Sequence, residues 1–354
     1  MSSEEKVSQL VDSEALSTRL TAELGPAETY EIERFPGGHS NETLFVAWNG
    51  HDLVLRRPPP GETAKNAHDV LREYHVMDAL GGTDVRVPST VLACADHSVI
   101  GSEFYIMESI KGPVLRNDEI ERFSSADARR AIAEELIDRL VEIHSVDVEA
   151  VGLTDFGRPD GFLTRQVSRW REQFDWAREI TAEEREIPSL KPVREWLDQN
   201  IPESSPSTLV HGDYKLDNVI FEPNGSPEIA AIVDWEMSTL GDPLTDLSWL
   251  LTYWQDADDD DCAIPELIPT FTRQEGYPTK AALVNRYEQA TGTTFEHDRF
   301  YRALAIYKLA GICEMFYRRY LKGNSDNPMY PKMRQRVPTM VDWALRIIEG
   351  EDPL

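Results

Sequence analysis

Leu209-Val-His-Gly-Asp-Tyr-Lys-Leu-Asp-Asn-Val-Ile-Phe221, followed after a short gap by Ile229-Ala-Ala-Ile-Val-Asp-Trp-Glu236, is the stretch on which the reading of this chain turns. Apolar β-like runs alternate in it with polar loop residues. Asp213 lies in the first loop, Asn218 follows five positions later, and Asp234 ends the apolar run 229–233. A tight β-hairpin would bring Asp234 beside Asn218. Taken singly, each residue has an ordinary use: Asp213 as a helix N-cap in a turn, Asn218 as a loop residue, Asp234 as a strand-end cap. In this order and on this strand pattern they make a converging set of oxygen donors.

Working outward, residues 4–24 carry Val7, Leu10, Val11, Leu16, Leu20 and Leu24 at helical spacing, ending at Gly25-Pro26. Short β-like runs follow at 30–35, 43–48 and 52–56, separated by Gly37-Gly38 and Asn49-Gly50. Asn-Gly between two such runs is a hairpin signal. A helix is expected over 67–80, then β-like runs at 90–94 and 104–108. After Gly112-Pro113 the pattern turns helical, with candidates at 128–144, 166–180, 191–199, 299–320 and 339–348. The expected fold is α+β and two-lobed. An antiparallel β small lobe, 1–110, precedes a mostly helical lobe, 111–354, which holds the loop of Asp213.

Phosphoryl transfer needs this donor set. Its transition state is loose, so catalysis is mainly positioning and charge neutralisation. One carboxylate must sit by the acceptor hydroxyl, and Asp213 is placed to be that base. Mg²⁺ takes oxygen ligands and keeps several waters, so Asn218 and Asp234 plus phosphates suffice to hold it. His211 is expected to support the loop through hydrogen bonds.

This set is similar to the aminoglycoside phosphotransferase family of the protein-kinase-like superfamily. His211-Gly212-Asp213 with Asn218 matches the family's catalytic loop, and Ile232-Val233-Asp234-Trp235-Glu236 its metal-binding segment. The extension Ser238-Thr-Leu-Gly-Asp-Pro-Leu-Thr-Asp-Leu247 resembles the branch related to kinase-like domains fused to, or encoded beside, acyl-CoA dehydrogenases. The resemblance covers roughly residues 30–320. It implies ATP and Mg²⁺ as cofactors, a small-molecule hydroxyl as acceptor, and a functional link to an acyl-CoA dehydrogenase. A hydroxylated acyl-CoA, an aminoglycoside, or a weakly catalytic ATP-binding regulatory role remain separate readings of the same site. In the small lobe, the segment from Phe35 to Phe45 lies between β-like runs. Backbone N–H groups at Gly37, Gly38, Ser40 and Asn41 are expected to cover ATP phosphates. Leu53-Val-Leu-Arg-Arg57 sits where kinases place a phosphate-binding lysine; Arg56 continues the strand pattern and is preferred to Arg57. Glu73 matches the helix glutamate that pairs with that base. Met107 and Glu108 end a run that looks like the adenine-binding hinge. Asp246 is expected to buttress the catalytic loop, and Asp242 to cap the helix carrying it.

Net charge is −27, from 63 acidic residues against 36 basic ones, only nine of them lysine. Such a field repels nucleic acid and anionic membranes, so neither is an expected partner. Acid excess with scarce lysine resembles proteins that work at high salt; an ordinary acidic enzyme is the alternative. The acidic run 256–261 reads as a solvated loop. Cys94, Cys262 and Cys313 are too scattered for a metal site or a disulfide framework. No apolar run approaches the roughly 18–20 residues of a membrane span. The acidic N-terminus has no secretory pattern, so the expected location is the cytoplasm.

Overall fold

A computed structural model describes residues 7–35, 41–60, 69–259 and 262–354. The sheet strands are β1 Tyr30–Arg34, β2 Glu42–Trp48, β3 His51–Arg57, β4 Thr90–Cys94 and β5 Phe104–Glu108. They form one antiparallel sheet in the order β1-β2-β3-β5-β4. The β2–β3 turn is Asn49-Gly50, both at positive φ (50° and 88°), the geometry that suits the right-handed twist of the flanking strands.

Strand alternation sorts the sheet's two faces. Leu44, Val46, Leu53, Leu55, Phe104 and Ile106 pack on one side with Leu10, Val11 and the helix α1, Ser13–Leu24. Tyr105 and Met107 face the other way, toward α2, Val70–Leu80. The N-terminal helix is shorter than its spacing suggests. Asp12 accepts hydrogen bonds from the N–H groups of Glu14 (3.1 Å) and Ala15 (3.0 Å), so a helix starts at Ser13 and the spacing read from residue 4 is interrupted there; residues 4–6 lie outside the described residues.

A one-turn helix, α3 His97–Ile100, leads into β5. The helical part then comprises α4 Ala126–His144, α5 Phe162–Thr181, α6 Leu190–Gln199, α7 Leu244–Thr252, α8 Lys280–Thr291, α9 Asp298–Leu321 and α10 Met333–Glu349. The helix α9 is buried on nearly every side, as a central helix must be, and packs against α10, α5 and α7. Two elements differ from expectation. The helix α8 carried no strong apolar stripe; Thr279 caps it through the Ala282 N–H at 3.2 Å. Pro338 does not start the last helix but lies inside α10, where burial of Val337, Met340, Val341 and Ala344 outweighs one lost backbone bond. In the acidic loop, the Asp256 carboxylate accepts the Lys280 N–H at 2.9 Å, and Asp259 takes the Lys280 ammonium; 260 and 261 lie outside the described residues.

Two short ribbons are set into the helices. β6, Thr208–Val210, pairs with β9, Thr239–Gly241. β7, Val219–Phe221, pairs with β8, Ile229–Ile232, with Val219 opposite Ile232. The loops 211–218 and 233–238 therefore emerge together at one place.

The charge carries its own expected outcome. The Debye length falls from roughly 30 Å at 0.01 M salt to about 3 Å at 1 M, so repulsion across a surface of net charge −27 is removed over that range. If this charge is a high-salt adaptation, the melting temperature rises steeply from low salt to molar KCl. A curve flat above about 0.1 M discards the adaptation.

Candidate active site

Asp213 sits where the chain leaves β6 and turns toward β7. Gly212 makes that turn at φ 81°, and a Cβ there would lie 2.4 Å from the Met237 carbonyl, so the position requires glycine. The Asp213 carboxylate is held at both oxygens. Trp249 Nε1–H donates to Oδ1 at 2.7 Å. Lys215 Nζ (2.6 Å) and Asn218 Nδ2 (2.8 Å) donate to Oδ2. Burial pushes this carboxyl up, but Lys215 and Lys308 outweigh it and hold it below the usual aspartate range. It is an ionised, oriented carboxylate.

The loop backbone is anchored from α7. Asp246 is fully buried and accepts the N–H groups of His211 (2.6 Å, Oδ2) and Gly212 (2.8 Å, Oδ1). His144 Nε2 lies 3.4 Å from Oδ2, and its Nδ1 is 2.7 Å from the Tyr287 hydroxyl. His211 accepts the Asp213 N–H at Nδ1 (3.2 Å), so Nε2 carries the proton and meets the Val233 carbonyl at 3.1 Å. Burial holds this imidazole below its ordinary pKa. A neutral ring bonded at both nitrogens supports the loop. Asp242 caps α7 through the Leu244 N–H at 3.0 Å and also accepts the Tyr301 hydroxyl at 2.8 Å.

The hairpin places Asp234 as its register requires: the Val233 N–H donates to the Asn218 carbonyl at 2.9 Å. Asp234 adopts left-handed backbone, φ 69° and ψ 58°, turning its carboxylate away from the strand line. Arg56 reaches it from the sheet through both terminal nitrogens at 3.2 Å, and pairs with fully buried Glu73 of α2. Burial pushes the Glu73 carboxyl upward against the opposing pull of Arg56. Arg57, one step along β3, falls on the opposite face with Leu53 and Leu55. It donates to the Ile100 carbonyl at 3.0 Å and to that of Leu10, away from the cleft. Asn41 at the start of β2 donates to Glu236 at 3.1 Å.

Met107 and Glu108 end β5, as placed from the sequence. The Glu108 N–H donates to the Ser89 carbonyl at 2.8 Å. Gly37, Gly38 and Ser40 lie outside the described residues. Three cleft residues escaped the sequence reading. Lys215 had a local signal, two positions after Asp213. Trp249 had a weaker one, i+3 from Asp246 on the same helix face. Lys308 had none: its Nζ donates to the Gly212 carbonyl at 2.6 Å across 96 positions of chain.

The donor set fits Mg²⁺. Asn218 directs its Nδ2 at Asp213, including the Asp213 carbonyl at 2.8 Å, which turns its amide oxygen the other way, and Asp234 offers a carboxylate beside it. Among the described residues no cluster of three His, Cys, Asp or Glu forms a closed metal cage. An ion here would need phosphate and water oxygens to complete its shell. No helix among the described residues is long and apolar enough to cross a membrane.

Comparison with known proteins agrees with this geometry. The model of the phosphotransferase enzyme family matches residues 31–300. Acyl-CoA dehydrogenase family member 11 of Gallus gallus is 33% identical over 325 residues, 91% of this chain and 41% of that protein. The Homo sapiens member 11 is 33% identical over 309 residues, covering 84% and 37%. The chain thus spans about two fifths of these relatives' length. A Ralstonia eutropha crystal structure, provisionally described as an aminoglycoside phosphotransferase, superposes with TM-score 0.79 at 32% identity over 95% of this chain and 99% of that one. The GDP complex of aminoglycoside 2'-phosphotransferase-IIIa, at 16% identity, TM-score 0.62, and 94% and 99% coverage, shares the fold. With a family match over most of its length and a two-lobed kinase-like α+β fold, this chain belongs to the phosphotransferase enzyme family.

Proposed function

We propose that the chain transfers the γ-phosphoryl group of ATP to a hydroxyl of a small molecule, with Asp213 as base. The observation that carries this reading is the convergence of Asp213, Asn218 and Asp234, from two loops, on one cleft faced by the Arg56–Glu73 pair. The sheet to about residue 110 is the nucleotide-binding lobe; Arg56, Asn41 and the end of β5 at Met107 and Glu108 supply its contacts. Asp213 orients the acceptor hydroxyl and receives its proton as the bond to phosphorus forms. Arg56, held by Glu73, balances phosphate charge as a planar fork where other kinases use an ammonium. Asn218 and Asp234 hold Mg²⁺, which when bound neutralises charge on the phosphate oxygens.

The acceptor we favour is a hydroxylated acyl-CoA. The named relatives, acyl-CoA dehydrogenase family members, support it. The complete residue set speaks against a purely regulatory ATP-binding module. Measuring ADP release with a hydroxyacyl-CoA, with kanamycin and with neither tests these readings. Acceleration by kanamycin alone overturns the acyl-CoA assignment, and no turnover with any acceptor favours the regulatory module.

Asp234→Ala is expected to weaken Mg²⁺-dependent nucleotide binding by about 10-fold or more, through loss of a direct ligand. Calorimetric titration of Mg-ATP, with and without the metal, measures it. Unchanged affinity and metal dependence would assign Asp234 a structural role with Arg56.

A further inference from the structure

We propose that Trp249 and Lys308 are a coupled positioning pair for phosphoryl transfer, a role that rests on the reading of Asp213 as base. The geometry is a chain of contacts ending on that carboxylate. Lys308 Nζ lies 3.7 Å over the Trp249 ring. The same ammonium donates to the Gly212 carbonyl at 2.6 Å. The Trp249 indole N–H reaches Asp213 Oδ1 at 2.7 Å. A cation over the indole face draws electron density from the ring, which makes its N–H a stronger donor to the ionised carboxylate. One lysine therefore fixes the loop twice, at the backbone through Gly212 and at the side chain through Trp249.

The placement is hard to read as packing alone. Trp249 is almost fully buried, yet its single polar atom points at the carboxylate and not into the core. In a chain with 63 acidic residues, Lys308 settles on a carbonyl and an indole face, with no carboxylate among the described residues as its direct hydrogen-bond partner. Trp249 lies one helical turn beyond Asp246, so α7 holds the loop at its backbone and at its base. The helix α9 supplies the third hold.

Other groups also act on Asp213. They are His211, Lys215 and Asp217 in its own loop and Tyr253 just beyond α7. The pair's share is separable by which constant moves: misplacing the base lowers kcat and leaves KM for Mg-ATP.

The experiment measures ADP release from Mg-ATP with water as acceptor for Trp249→Phe, Lys308→Met and Lys308→Arg, with Asp213→Asn in parallel. Thermal melts check folding. We expect Trp249→Phe to lower kcat roughly 10–100-fold, as misplacement of a reacting group does, with KM for Mg-ATP within about twofold. Lys308→Met follows in the same direction, and Lys308→Arg, which keeps charge and donor, recovers part of the loss. A folded Trp249→Phe with wild-type kcat overturns the pair while Asp213→Asn remains inactive. Full turnover by Asp213→Asn overturns the base reading instead. If Trp249→Phe does not fold, the two Lys308 variants decide: equal losses of kcat in both overturn the proposal.

Discussion

Replacing Asp213 by asparagine is expected to lower kcat by about 10²–10⁴, the range for loss of a positioned acid–base group. The structure adds a second effect. Both carboxylate oxygens accept hydrogen bonds, Oδ1 from Trp249 and Oδ2 from Lys215 and Asn218. An asparagine can offer an oxygen to one side only and must turn its NH₂ toward donors on the other. A stability loss of about 1–3 kcal/mol should accompany the kinetic one, as one buried donor set loses its acceptor. Melting curves and Mg-ATP titration separate the two: a variant that folds and binds nucleotide but does not turn over has lost the base. Retained turnover would remove Asp213 from the mechanism.

Asp246→Asn should be the most damaging single substitution to stability among the residues around the loop. The wild-type carboxylate accepts two backbone N–H groups inside the protein, at 2.6 and 2.8 Å. The amide keeps one acceptor and sets a donor against the other N–H, leaving polar groups buried without partners. We expect a loss of about 3 kcal/mol, measured by denaturant unfolding, and with it a displaced catalytic loop and much reduced kcat. The effect has a pH signature. Burial opposes ionisation of Asp246, but the His144 ring and then His211 and its N–H outweigh it, so the folded pKa lies below the ordinary 3.8. Stability from a depressed carboxyl is fully present above the unfolded pKa and is lost as pH falls through the folded one. The gap between wild type and variant should therefore be constant at neutral pH and narrow below about pH 4. A gap under about 1 kcal/mol at pH 7 would show that the two N–H groups find other partners.

Much of this site was legible in the sequence because its parts are close in the chain. Asp213 and Asn218 share one loop, and a hairpin of short apolar runs fixed the register that brings Asp234 to them. From the sequence, Arg56 is preferred to Arg57 only because it continues the strand pattern. In the structure, period-2 alternation sends Arg57, with Leu53 and Leu55, toward Leu10 and Ile100 and leaves Arg56 on the cleft face. Glu73, matched to the helix glutamate, is buried against Arg56. What was not legible is long-range. Nothing near Lys308 in the chain marks it; only the passage of α9 behind the loop gives it the Gly212 carbonyl. The start of α1 failed as a boundary, where one carboxylate at Asp12 decides between a continuous helix and a new one. The last helix failed in the opposite sense, because proline's cost was overridden by the face it buries.

On the proposed reading of the cleft, the arginine in β3 also decides how this chain answers to chemical probes. Acyl phosphates and sulfonyl fluorides built on adenosine attach to kinases by acylating or sulfonylating a free amine beside the triphosphate. A guanidinium, charged at every accessible pH and delocalised over three nitrogens, is no nucleophile toward such reagents. At the position where those reagents find a lysine, this cleft presents Arg56, locked between Glu73 and Asp234. A survey of nucleotide-binding proteins that counts modified amines at that position would pass over this chain, however well it binds the probe.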